Sequence, residues 1–309
     1  MPIQPTTVSV TVPVGQAIER VKLILFRPFD LSKWFVIGFS AWLAHLGETG
    51  FNFNYNIGSR RRGRGVGPEL ERIRDYVMNN LSWIVPLAVL LVILCIALWV
   101  AVTWVSSRGR LMFLHCVAHN TAEIGAPWRN FGREGNSLFV FRIVLGLIGM
   151  VPMLPLLVVG IVATMKMFRR GGPDVAGIAV LVGVALMIVA VGIVLFVVAK
   201  LTTDFVLPIM LLRRNTCVAA WRELLGLISA NVGQFVLYLL FQIVIAMATG
   251  ALVVAVIIAT CCIAGCLMII PYVGTVVLLP ILAFKRCYSL HYLAQYGREY
   301  DVFPLAATV

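Results

Sequence analysis

Two runs of this chain leave little choice of architecture. Residues 84–105, IVPLAVLLVILCIALWVAVTWV, and residues 175–199, VAGIAVLVGVALMIVAVGIVLFVVA, contain no charged side chain. A bilayer hydrocarbon core about 30 Å thick needs about 20 such residues in a helix, because each buried N–H and C=O must be paired within its own segment. Both runs meet that length, so a polytopic helical membrane protein is predicted.

Further runs extend the count. Residues 138–165 are apolar apart from Arg142 and carry Pro152 and Pro155, which predicts a kink or support from neighbouring helices. Residues 235–284 are almost wholly apolar, too long for one crossing and sufficient for two, with a connection expected in CCIAGCLMIIPYVG. Residues 29–46 reach the lower limit for a crossing, and a re-entrant hairpin is the alternative. The sequence thus predicts an all-α bundle of about six spans.

Composition agrees with this class: 61% of the 309 residues are hydrophobic and 12% charged, against about half and a quarter in soluble domains. A net charge of +12 raises the possibility of nucleic acid, but the cations are scattered between apolar runs, where they meet anionic lipid. No nucleic-acid partner is predicted. The one dense cluster, RRRGR at 60–64, lies in a Gly-rich stretch read as a flexible loop over 52–68. The seven cysteines show no disulfide or metal spacing; Cys261, Cys262 and Cys266 read as small residues permitting close helix approach. The start, MPIQPTTVSVTVPVGQ, has neither a basic region nor an apolar core, so no cleaved signal peptide is expected.

Three segments repeat one theme: AIERVKLILFRPFDLSKWFVIGF from Ala17, APWRNFGREGNSLFVFRIVLGL from Ala126 and AAWRELLGLISANVGQFVLYLLF from Ala219. Each is an amphipathic approach, a polar turn expected to cap a helix, and a span. Val14, Ala17, Ile18, Val21 and Leu25 form an apolar stripe in the first; Val218, Trp221, Leu225 and Ile228 do so in the third. Such helices suit the headgroup region, with Arg20, Arg129, Arg222, Trp128 and Trp221 as candidate headgroup contacts. Each approach precedes two spans, which predicts three repeat units over about 15–107, 120–203 and 215–290, forming one membrane domain over 1–309. Loop cations divide fifteen to nine in favour of a cytoplasmic side holding both termini, in a multi-pass cell-membrane protein.

The segment DFVLPIMLLRR, residues 204–214, with AAWREL, NVGQFVLYLLF, CCIAGC and PYVGTVVLLPILAFKRCYSLHYLAQYG, resembles an uncharacterised bacterial and archaeal family of six-span membrane proteins. It is more distantly similar to the membrane domain attached to some glycerophosphodiester phosphodiesterases. The likeness is strongest over 204–297. It implies no activity, because the soluble phosphodiesterase barrel has no counterpart here.

Candidate chemistry is sparse. His115, His119 and Glu123 stand four apart, a spacing that stacks them on one helix face and makes them weak metal candidates, although the zincin pattern needs Glu where Cys116 stands. An acid at membrane depth is a functional candidate by default, and Asp204 follows Lys200 by one turn. The repeats align Asp204 with Arg108 and Arg110 and with Lys285 and Arg286, predicting one acid facing several cations at a central position; a local Lys200–Asp204 pair before a break at Pro208 is the alternative. Arg142, one turn inside a span, either snorkels to the interface or joins this set. No catalytic constellation, cofactor or metal is predicted. The function expected is a non-catalytic module organising membrane lipids or membrane-protein partners, including copies of itself; a transporter or channel is the alternative, on the strength of repeats and proline-interrupted spans.

Overall fold

The computed structural model describes residues 8–47, 79–169, 172, 174–260, 265, 267–268 and 270–303, and every element assigned among them is helical. In order they are α1 (Val12–Val21), a π-turn (Lys22–Phe26), α2 (Leu31–His45), α3 (Leu81–His119), α4 (Gly125–Asn130), α5 (Gly132–Arg169), α6 (Val175–Leu201), a second π-turn (Thr202–Val206), α7 (Leu207–Arg213), α8 (Cys217–Ala230), α9 (Val232–Ala259), α10 (Pro271–Val277), α11 (Leu279–Ala294) and a 3-10 turn (Arg298–Tyr300). The 52–68 loop and Cys261, Cys262 and Cys266 fall outside the described residues.

Among the described residues, four helical stretches are long and apolar enough to cross a membrane: Leu81–His119, Gly132–Met167, Val175–Arg213 and Val232–Ala259. This is the architecture of a membrane protein. α2 has 15 residues, about 22 Å of helix, and is too short by itself to span the core. The α10–α11 stretch is interrupted at Leu278, with Pro280 in the next turn.

Two of the four stretches are 39 residues long, about twice what a bilayer requires. The surplus is where the core sits. Along α3 residues 81–101 are almost all exposed, whereas Ser106, Ser107 and most residues from Gly109 to Ala118 are buried. Beyond α6 the pattern recurs from Leu201 to Leu211, and along α11 from Ala283 to Leu293. Three helix ends therefore converge in one packed base, while the spans above them expose Leu, Val and Ile to what must be lipid, since apolar side chains at such density have no place in water.

The base is closed by two segments far apart in sequence. α1 packs on α11; the Tyr288 hydroxyl donates to the Val10 carbonyl at 3.0 Å, and Ser9 and Gln295 exchange two hydrogen bonds. α2 packs along α3, where Gly109 lets the backbones meet: a Cβ there would lie 2.7 Å from the Leu43 backbone.

The approach segments differ from one another more than their sequences suggest. Asp30 does cap α2, accepting from the Ser32 N–H at 2.8 Å. Asn231 occupies the cap position of α9 without a capping bond, its amide turned back to the Leu227 carbonyl. Asn136 caps nothing: α5 starts at Gly132, so the second approach is only the six residues of α4, and the Asn136 oxygen accepts instead from Trp104 Nε1 (3.1 Å) and Arg108 (3.2 Å). In α8 the buried face is Cys217, Ala220 and Leu224, while Val218 and Leu225 of the expected stripe point outward at 63% and 55% exposure. This helix has two apolar faces, one for the base and one for the surroundings.

Pro208 does not break its helix. It has no N–H to offer the Asp204 carbonyl, and the preceding turn widens into the π-turn Thr202–Val206 before α7 continues.

Candidate functional site

The second π-turn lies in the middle of the base and holds Asp204, 5% exposed. Its carboxylate accepts from Lys200 Nζ at 2.9 Å and from the Tyr238 hydroxyl at 2.9 Å. Gln242, one turn along α9, donates to the Tyr238 oxygen at 2.7 Å and so orients the phenol toward the acid. A buried carboxylate is tolerable only when paired and hydrogen-bonded, and here a cation and a neutral donor share the task. The local Lys200–Asp204 pair is formed, and Tyr238 joins it on the same carboxylate.

The neighbouring Thr203 gathers two cations from other helices. Arg110 of α3 donates to its hydroxyl at 3.0 Å and Arg286 of α11 to its carbonyl, while Arg110 also reaches the Ala44 carbonyl at the end of α2. Both guanidinium residues are 6% exposed. Arg142 of α5 does not run outward to the interface: it donates to the Ser106 and Ser107 hydroxyls of α3, each at 3.2 Å. Lys285 points into the cavity described below, half-buried.

Arg108 is placed apart from this group. Residues two positions apart on a helix point roughly 200° from each other, and while Arg110 faces inward, Arg108 lies over the rings of Trp104 (4.5 Å) and Trp128 (5.4 Å), against the bare backbone of Gly135. Its stacking partners supply cation–π attraction in place of an acid.

Of the five headgroup candidates, Arg129 and Arg222 are exposed. The other three serve the fold. Arg20 donates to the Ala118 carbonyl at 2.7 Å and lies 4.7 Å above the Phe303 ring. Trp221 donates to the Thr202 hydroxyl at 3.2 Å and stacks on Phe141; Trp128 meets Trp104 edge to face at 6.1 Å. His115 and His119 stack at 4.4 Å, with Glu123 exposed beyond them, and no group of three or more potential metal ligands converges among the described residues. Cys116, Cys217 and Cys287 are buried; in α8, burial pushes the Cys217 thiol up to about 12, so it behaves as a small apolar side chain.

Beside Asp204 a cavity of about 310 Å³ opens between α6 and α11. Its polar lining is His45, Lys200, Thr203, Asp204, Lys285 and Arg286; its apolar lining includes Phe196 and Leu282. On the other side of α6 a second recess of about 280 Å³ holds Arg110 and Arg142 beside Leu145 and Leu195. Both are polar toward the base and apolar toward the spans.

The family model of a family of unknown function, DUF7544, matches residues 9–279. The chain belongs to this family. The match takes in the whole approach from Ser9 and stops at the start of α11, so Lys285 and Arg286 lie beyond it. No curated protein and no solved structure matches the chain.

Sequence reasoning missed Tyr238 and Gln242. The signal was available: two hydrogen-bonding side chains one turn apart within an apolar run mark a buried polar partner.

Proposed function

We propose that the protein is a non-catalytic membrane module whose base organises lipid headgroups or membrane-protein partners at the cytoplasmic surface. The observation that carries this reading is the distribution of polarity. Asp204, Arg110, Arg286, Ser106, Ser107 and Thr202 are packed shut within the base, while the most apolar stretches of the four long helices are 0%, 6%, 0% and 11% buried within the molecule. Spans so apolar show no polar path between them among the described residues, and a transporter needs one near mid-depth. The recess midway between α5 and α6 is lined by Leu157, Ile161 and Val184, with Thr164 as its polar side chain, and the charged Lys166 and Asp174 line a recess only at the far ends of these helices.

In this proposal the chain makes six crossings in three related units. Supporting it, the three buried base segments all follow the second apolar stretch of their unit; the two shorter stretches, α2 and α10–α11, are locked together where Tyr272 donates to the Phe35 carbonyl at 3.0 Å, with α2 lying beside residues 106–120 at the end of α3. The base carries the fifteen-cation side of the loop count and is assigned to the cytoplasm.

Reconstitution of the full chain into sealed vesicles tests the reading. Flux of small ions and of a panel of small organic solutes should equal that of empty vesicles, and single cysteines placed at Arg129 and Arg222 in cells should react with impermeant maleimide only after the cytoplasmic face is opened. Protein-dependent solute flux would replace the module by a transporter.

A further inference from the structure

We propose that the cavity between α6 and α11 is a binding site for the phosphate of an anionic lipid, with Lys285 as its principal contact. This rests on the membrane-module reading and names the ligand class of its base. Three cations, Lys200, Lys285 and Arg286, and one carboxylate, Asp204, line the cavity among the described residues. The carboxylate is already committed to Lys200 and Tyr238, and Arg286 is held on the Thr203 carbonyl. Lys285 is different. It has no hydrogen-bond or ion-pair partner among the described residues, it is repelled by Lys200, and the attraction it feels from Asp204 acts at a distance on a charge already shared. A half-buried ammonium at the edge of a hydrocarbon layer, with three donors to place, is a standing demand for an anion.

The shape of the site selects the kind of anion. Phe196 and Leu282 line the same cavity, and Phe196 is 67% exposed on the face of α6 that carries other exposed apolar side chains such as Ile193. An opening that is cationic at its floor and apolar at its mouth suits an amphiphile whose phosphate reaches Lys285 while its acyl chains run along α6. A volume of about 310 Å³ admits a phosphodiester headgroup and excludes nothing larger than the headgroup needs to be, since the chains stay outside. Basic recesses between transmembrane helices on the cytoplasmic side take anionic headgroups in this way. A free phosphate could use the same floor without using the mouth.

The test is native mass spectrometry of the purified full chain released from detergent micelles doped with phosphatidylglycerol or phosphatidylcholine. Retention of phosphatidylglycerol should exceed that of phosphatidylcholine about tenfold, and Lys285→Gln should cut this preference about fivefold, the effect of one surface cation on an anionic lipid. Lys166→Gln, in a helix end remote from the base, should leave the preference intact. Because Lys285 has no partner among the described residues to strand, Lys285→Gln should melt in lipid-free detergent within a degree or two of the parent, and a second variant, Lys285→Arg, should retain the preference. Millimolar inorganic phosphate should not displace the lipid; displacement would overturn the lipid assignment in favour of a soluble phosphate. Equal retention of both lipids, or an unchanged preference in Lys285→Gln, would overturn the site. Solute flux in the vesicle experiment would sink the module reading while leaving the lipid preference measurable on its own.

Discussion

Tyr238 donates its hydroxyl to the Asp204 carboxylate at 2.9 Å, joining α9 to the π-turn that follows α6 across 34 positions of sequence. The phenol is fully buried, and the acid has Lys200 as its second partner. Tyr238→Phe removes a hydrogen bond to a charged group and also the acceptor of Gln242, and should cost about 2 kcal/mol. Asp204→Leu leaves Lys200 without its anion and should cost more, offset by the freedom of a Lys200 side chain that is 25% exposed. Since both variants break the same contact, the double variant should lose at least about 1 kcal/mol less than the sum. Unfolding of the purified protein by titration from mild detergent into dodecyl sulfate measures all three; strict additivity would mean that the contact does not form. Asp204→Asn with unchanged expression and melting would likewise remove the case for a central network.

The close approach of α2 to α3 depends on one missing methyl group. A Cβ at Gly109 would meet the Leu43 backbone at 2.7 Å and the Ala44 nitrogen at 2.8 Å. Backbone cannot swing aside as a side-chain tip does, and separating the helices would also strain the Ser106 and Arg110 bonds to the Ala44 carbonyl. Gly109→Ala should therefore destabilise by about 1–3 kcal/mol. Gly226, inside α8 with open space around it, provides the contrast: Gly226→Ala should be neutral or stabilising by up to about 1 kcal/mol. Thermal melting in a single detergent compares the two, and a harmless Gly109→Ala would mean that α2 sits elsewhere.

The long spans were legible because hydropathy is a one-dimensional property, and residues 84–105 and 175–199 need no knowledge of their neighbours. The base was legible only in part. Sequence placed Asp204 and its cations at corresponding points, but it could not say that Arg110 faces inward while Arg108 faces a tryptophan, since that depends on the rotation of α3 about its axis. The same limit applies to Arg20 and Trp221: an amphipathic pattern shows that a helix has two faces, not which face meets lipid and which meets protein. In the second approach the expected helix is only the six residues of α4, because the chain re-enters a helix at Gly132 before Asn136. The π-turn was hidden because Pro208 marks strain without saying whether a helix will break or widen.

Arg20 and the pair Arg129 and Arg222 separate these two uses of a cation. Arg20 satisfies the Ala118 carbonyl in the last turn of α3, one of the orphan acceptors of a helix C-terminus, where positive charge is also favoured by the helix dipole. Arg20→Gln should lower stability by about 1–2 kcal/mol equally in nanodiscs of zwitterionic and of anionic lipid. Arg129→Gln and Arg222→Gln should change stability by less than about 0.5 kcal/mol in zwitterionic lipid and should reduce the extra stability gained in anionic lipid, in keeping with exposed side chains at headgroup depth. Melting of the three variants in both nanodisc types decides it: an Arg20→Gln effect confined to anionic lipid would return Arg20 to the headgroup set.

His291 gives the base a predictable response to acid. It lies toward the end of α11 with its ring stacked on Phe303 at 4.4 Å, and its Nε2 is buried without a partner among the described residues. Burial lowers its pKa below the ordinary value; Asp301 pulls it upward and Arg20 pushes it further down, and the downward causes prevail. The unfolded chain then takes up a proton more readily than the folded one at mildly acid pH, so stability rises with pH there. The contribution is fully present above the unfolded value of about 6.5 and is lost as pH falls below it toward the lower folded value. Melting temperature should thus decline between about pH 7 and pH 5, and His291→Phe, which keeps the stack on Phe303 and cannot be protonated, should flatten that part of the profile. A His291→Phe profile as steep as the parent's would assign the acid sensitivity to another group in the base.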